Sequence, residues 1–125
     1  MAEPQETIMA NEKLDRLQGT LDLLVLQTLA SMGPQHGYGI ARRIEQVGAD
    51  ALCLNQGTIY AALVRLQQGG FIGAEWGTSD NNRKAKYYQL TARGRRRLTA
   101  EAVNWQRVAG VVQRILEAPA GEAAS

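Results

Sequence analysis

Sulfur and imidazole are scarce in this 125-residue chain, which holds one cysteine, Cys53, and one histidine, His36. A lone cysteine cannot close an intrachain disulfide, so a reducing compartment, the cytoplasm, is the expected location. One Cys and one His cannot by themselves complete a zinc site, and no metal is expected. A nucleophile–base pair or a phosphate-cradling loop cannot be assembled from these residues and scattered carboxylates. That speaks against an enzyme and against a bound cofactor. Long apolar runs are missing too. The stretch Leu21 to Leu26 is broken by Asp22 and is too short to cross a bilayer. Met1 to Asn11 is polar and acidic, unlike a secretory leader.

What is present describes one ordinary globular domain: 45% hydrophobic and 21% charged residues, at a length that supports a single modest core. The net charge of +2 says little, but its distribution is uneven. Between Gly33 and Ala100, ten Lys and Arg stand against four acids, so the two ends together carry the opposite sign. A basic middle with acidic ends suits a polyanion partner, of which DNA is the commonest; a merely solvated basic face is the plainer alternative.

The hydrophobic pattern organises the chain. Residues 1–12 lack periodicity and are expected to form a loose arm. From Leu14, apolar residues recur at Leu17, Leu21, Leu24 and Thr28, with Leu23, Val25, Leu26 and Leu29 on a second face; this core helix stops near Ser31 at Met32-Gly33-Pro34. A second helix is expected from Tyr38 to Val47, with Ile40, Ala41, Ile44 and Val47 on one side and Gly48 closing it. Asn55 is a good N-cap for a third helix over Gln56 to Gln68, whose buried stripe is Ile59, Ala62, Leu63 and Leu66. Gly69-Gly70 stops it. The period then changes. Phe71 to Trp76 and Ala85 to Leu90 read as strands around the turn formers Gly77 to Arg83, which makes a hairpin. Thr91 caps a long last helix that runs to about Glu117, before a tail with Pro119 and Gly121.

This order gives the expected fold class: mostly α with a β-hairpin wing, a winged helix-turn-helix plus a long C-terminal dimerisation helix. The arm covers 1–12, the winged helix-turn-helix 13–90, the C-terminal helix 91–117 and a flexible tail 118–125. The third helix leaves Gly57, Ala61, Val64 and Gln68 opposite its buried stripe, flanked by Tyr60 and Arg65, which are expected to reach outward. So small a face can approach a major groove about 12 Å wide and touch thymine methyls. With few long hydrogen-bonding groups there, DNA shape is expected to carry much of the specificity. The wing tip offers Asn81, Asn82, Arg83, Lys84 and Lys86 to phosphates or a minor-groove edge. The alternative is that the small face is another packing surface.

In the last helix Leu98, Ala102, Trp105, Ala109, Val112 and Leu116 repeat as a heptad seam, widened by Val108, Val111 and Ile115. One small domain cannot easily cover so much apolar surface, which argues for a second copy of the chain. His36 is expected to cap or orient the second helix. Cys53, between Leu52 and Leu54, reads as a buried, inert thiol.

Several motifs together resemble the PadR family of bacterial transcriptional regulators. They are Gly19-Thr20-Leu21-Asp22, His36-Gly37-Tyr38-Gly39-Ile40, Gly57-Thr58-Ile59-Tyr60, Arg65-Leu66 and Lys86-Tyr87-Tyr88-Gln89-Leu90-Thr91-Ala92-Arg93-Gly94. The single C-terminal helix is similar to the compact subgroup. The resemblance implies a homodimer on a near-palindromic operator, usually a repressor of a neighbouring operon released by a small apolar or aromatic ligand. It implies that Tyr38 and Tyr60 contact phosphates, while Tyr87 and Tyr88 pack the wing on the core. Related compact members line an interface cavity with a tryptophan, which makes Trp105 a ligand-site candidate; a plain interface anchor is the alternative. The expected DNA-facing set is therefore Tyr38, Asn55, Gln56, Gly57, Thr58, Tyr60, Ala61, Val64, Arg65, Asn82, Arg83, Lys84 and Lys86. The dimerisation set is Leu98, Ala102, Trp105, Val108, Ala109, Val112, Ile115 and Leu116. The competing functional class is a winged-helix protein–protein interaction module that binds no operator.

Overall fold

A computed structural model describes residues 19–48 and 56–121. The expected arm, the turn from 49 to 54 with Cys53, the N-cap Asn55 and the end of the tail lie outside the described residues.

Helix α1, described over residues 19–32, buries Leu21, Val25, Leu26 and Leu29 in the core together with Asp22 and Thr28. Gly33 ends it with φ of +78°, its N–H donating to the Leu29 carbonyl at 2.9 Å. Glycine reaches that left-handed conformation without a Cβ penalty. Strand β1 (Gln35–His36) follows and pairs antiparallel with a later strand, Gln35 opposite Tyr88 and His36 opposite Tyr87. Helix α2 (Gly37–Gly48) begins one residue earlier than expected and buries Ile40 and Ile44. Val47 in its last turn is exposed, at the edge of an open groove shared with Leu24 and Ile44.

Helix α3 (Gln56–Gln68) buries Ile59, Ala62, Leu63 and Leu66, the stripe the spacing predicts. Its end is a Schellman motif. The Phe71 N–H donates to the Leu66 carbonyl and the Gly70 N–H to the Gln67 carbonyl, with Gly70 at φ +78°. The chain then turns into β2 (Ile72–Thr78) and β3 (Lys84–Leu90), paired from Ile72 opposite Leu90 to Thr78 opposite Lys84. The sheet order is β1-β3-β2. The hairpin is longer than the sequence suggests, and its tip narrows to Ser79–Arg83. There the Ser79 N–H donates to the Arg83 carbonyl at 2.8 Å, and Asn82 takes φ of +57°. Tyr88 joins Ile72 in the core, as expected for a tyrosine that packs the wing.

Helix α4 (Ala92–Glu117) starts at Thr91, whose hydroxyl accepts the Gly94 N–H at 3.0 Å and donates to the Gly70 carbonyl at 2.7 Å. Gly94 is buried against Phe71; a Cβ there would sit 1.9 Å from the Phe71 carbonyl oxygen. Only glycine lets α4 root this closely against the turn between α3 and β2. Leu98 packs on the domain's core and Ala102 is half-buried, but every residue from Val103 to Gly121 is exposed. At about 1.5 Å rise per residue, the distal part of α4 is a long arm that its own domain leaves open.

Asp22 ties three helices together. Its buried carboxylate accepts from the Arg65 guanidinium of α3 at 2.5 Å and from that of Arg97 in α4 at 3.2 Å. Arg97 also lies over the Phe71 ring, 4.5 Å from its centroid, and 3.6 Å from Glu101. A carboxylate this deep is tolerable only when paired.

Candidate nucleic-acid interface

The N-termini of α2 and α3 and the outer half of the hairpin converge on one open crevice of about 690 Å³. At its floor the Tyr60 ring lies across the first turn of α2. A Cβ on Gly37 would come 2.6 Å from the Tyr60 ring, so glycine at this position permits the two helices to meet. The preceding His36 turns its Nδ1 to accept the Gly39 N–H at 2.9 Å, which caps α2 as the sequence suggests. Its ring stacks near Tyr38, with centroids 6.1 Å apart, and meets Tyr87 edge-on at 5.7 Å. An aromatic row thus runs from α2 to the wing.

The wing side of the crevice follows from strand alternation. Residues paired across β2 and β3 share a face, so Ile72, Ala74, Trp76 and Thr78 lie beside Leu90, Tyr88, Lys86 and Lys84. Ile72 and Tyr88 carry this face into the core; Trp76, Lys84 and Lys86 extend it over the crevice. The Lys86 ammonium lies 5.6 Å from the Tyr88 ring centroid. Burial, and secondarily the neighbouring Tyr60, push the Tyr88 hydroxyl above the ordinary phenol range, so it stays a neutral phenol. On the other face Tyr87 packs over Gly77 and donates its hydroxyl to the Thr78 carbonyl at 3.3 Å, which stiffens the wing.

The crevice brings together Tyr38, Tyr60, Arg83, Lys84 and Lys86 from the expected set. Asn82 stands exposed at the tip. Gln56, Gly57, Ala61 and Val64 are exposed on α3, with Thr58 half-buried beside them. Arg65 is the exception. It turns away from the groove face and commits its guanidinium to Asp22, because a buried carboxylate one long side chain away outweighs hydration at the helix surface. Trp76 was not in the expected set, although it lines the crevice. Its signal was an aromatic on the solvent half of a strand, on the core-facing parity.

A second, smaller groove of about 310 Å³ lies between α1 and α4, with Gly19, Leu23, Glu101, Trp105 and Val108 on its walls. Trp105 is half-exposed there, and Val108, Val112, Ile115 and Leu116 continue the open face along α4. Among the described residues no cluster of His, Cys, Asp and Glu could hold a metal ion, and no helix is long and apolar enough to cross a membrane.

Comparison with known proteins settles the family. A sequence profile of the transcriptional regulator PadR-like family matches residues 25–100, from α1 into α4. The chain belongs to the PadR-like family of transcriptional regulators. An uncharacterized protein of Lysinibacillus sphaericus is 26% identical over 103 residues, which span 82% of this chain and 94% of that one. The crystal structure of a PadR family transcriptional regulator from Eggerthella lenta is similar at 27% identity and a TM-score of 0.69, covering 94% of this chain and all of that one. A PadR family transcription regulator from Clostridium difficile is similar at 26% identity and a TM-score of 0.68, covering 77% of this chain and 97% of that one. The three-stranded sheet, with its hairpin beyond α3, is the wing of a PadR-like winged helix, and the chain is a DNA-binding regulator.

Proposed function

We propose that this PadR-like regulator is a homodimeric repressor that binds a near-palindromic operator beside its own gene and is released by a small apolar or aromatic ligand. The observation that carries DNA reading is the crevice, where three wing cations and two tyrosines gather next to the small exposed face of α3. The α3 face, with Gly57, Ala61 and Val64 outward, enters the major groove. Tyr38 and Tyr60 lie at its edge toward phosphates, and the wing tip with Asn82, Arg83, Lys84 and Lys86 reaches the neighbouring backbone or minor groove. Slim side chains on α3 favour reading of DNA shape over base forks. The open seam from Trp105 to Leu116 supports pairing with a second copy, which would hold two α3 helices at the spacing of two half-sites. The groove at Trp105 is the seat that this reading gives the ligand, with the indole as a stacking surface.

The experiment is a gel shift with the chain and the DNA upstream of its own gene, across a salt series. A sequence-selective shift is expected, weakening with salt by a slope of about −0.9 per phosphate neutralised. Absence of any salt-sensitive, selective shift removes the reading. Retention of partner binding after Arg83, Lys84 and Lys86 are neutralised would instead point to a protein–protein module.

A further inference from the structure

Trp76 is 71% exposed, on a strand face whose inner residues, Ile72 and Ala74, run into the core. With the exposed rings of Tyr38 and Tyr60 in the same crevice, it forms an apolar surface rimmed by polar groups, the kind that marks an interaction site. Its surroundings narrow the choice of partner. Trp76 pairs across the hairpin with Lys86, and Lys84 is the next residue of that face toward the tip. Together with Arg83 these cations dominate the single carboxylate of Asp80 among the crevice residues. Tyr38 and Tyr60 line the same crevice from the two helices. An anion alone would leave the indole idle, and an apolar molecule would leave three cations unmatched. A sugar–phosphate strand presents both surfaces, charged phosphates alternating with the apolar faces of deoxyribose.

We propose that Trp76 is a DNA contact, its indole packing on the deoxyribose edge of the one strand that lies in the crevice between the recognition helix and the wing. This deepens the DNA-reading assignment and rests on it. Lys84, Lys86 and Arg83 hold the phosphates on either side, and the tryptophan excludes water between them. Burying the ring strengthens the neighbouring charge contacts by lowering the local dielectric. The contact reads no base directly. It follows the path of the backbone and so is sensitive to groove width rather than to sequence letters.

The test uses the full chain and a random-sequence duplex of roughly 30 base pairs, about three helical turns, at low salt, because backbone contacts do not need an operator. Acrylamide quenching is measured for the parent and for Trp76→Phe, the difference between them being the signal of Trp76. That signal should lose most of its quenching when the duplex saturates the protein. Trp76→Ala should weaken duplex binding by about tenfold, as truncated interface aromatics do, with Trp76→Phe between it and the parent. The slope of log affinity against log salt should stay unchanged in Trp76→Ala, whereas Lys86→Ala should lower it by about 0.9. Circular dichroism melting checks that the exposed strand position tolerates alanine; if it does not, quenching and Trp76→Phe decide. A Trp76 as accessible in the complex as in the free protein, or parent-like affinity in both variants, overturns the inference while leaving DNA binding intact. Failure of the parent itself to bind the duplex overturns both.

Discussion

Helices α3 and α4 each carry one apolar stripe at helical spacing, yet the two stripes have opposite fates. That of α3, from Ile59 to Leu66, is buried by its own domain. That of α4 is covered only through Leu98 and Ala102, and from Trp105 to Leu116 it faces outward. The difference lies in what each helix is rooted on. The domain folds around α3, with α1, α2 and the hairpin on its sides. By contrast, α4 is fastened at its start, by the Thr91 cap, the Gly94 contact on Phe71 and the Arg97–Asp22 pair, and then leaves the domain. An apolar pattern therefore says that a face needs covering, and only the structure says whether the same chain covers it.

The largest effect that would sharpen this contrast is on the α3 stripe. Leu63→Ala, in a fully buried position, should cost about 2–5 kcal/mol in denaturant unfolding. Val112→Ala on the open face should change the stability of the dilute chain by no more than about 0.5 kcal/mol. Equal losses in the two variants would break the distinction. Next comes the junction between the two helices. Asp22→Ala removes the carboxylate shared by Arg65 and Arg97, and should cost about 1.5–3 kcal/mol, the range for hydrogen bonds to charged groups. The larger penalty of a stranded buried charge does not apply, since both arginine side chains, 34% and 30% exposed, can hydrate. A double-mutant cycle with Arg97→Ala should show strong coupling.

Smaller still is the effect of Gly37→Ala, whose Cβ would press on the Tyr60 ring. Shifting that exposed ring should cost about 1–3 kcal/mol and weaken duplex binding, while leaving self-association untouched. The smallest effect is on pH dependence. The Tyr88 hydroxyl is raised above its unfolded value of 10.0, so the stabilising neutral phenol is fully present below that pH and is lost as pH rises through the higher folded value. Alkaline unfolding should therefore be shallower in Tyr88→Phe than in the parent.

Much of the fold was legible in sequence because the relevant signals are local. The bounds of α3 follow from its stripe and from Gly69-Gly70, and the start of α4 from the Thr91 cap. The wing follows from the change of period after Gly69-Gly70 and from the turn formers between two strand-like runs. What escaped was non-local. Strand β1 is two residues long and exists only because Gln35 and His36 meet Tyr88 and Tyr87, which lie far along the chain. Arg65 sits beside the groove face on a helical wheel, but its long side chain finds Asp22 on another helix, a choice no wheel contains. The strands outgrew their apolar cores, since backbone pairing from Gly77 opposite Ala85 to Thr78 opposite Lys84 needs no hydrophobic residue. Trp76 had the right parity for the crevice, but its exposure became visible only once Ile72 and Tyr88 anchored the opposite end of that face.

In the proposed dimer, the distal face of α4 joins two copies of the chain and so sets the spacing of two α3 helices. Sedimentation equilibrium of the full chain beside one ending at Asn104 tests it most directly. A dimer is expected for the full chain and a folded monomer for the shortened one, with poorer operator affinity in the latter. A monomeric full chain, or a shortened chain that remains dimeric, would contradict it.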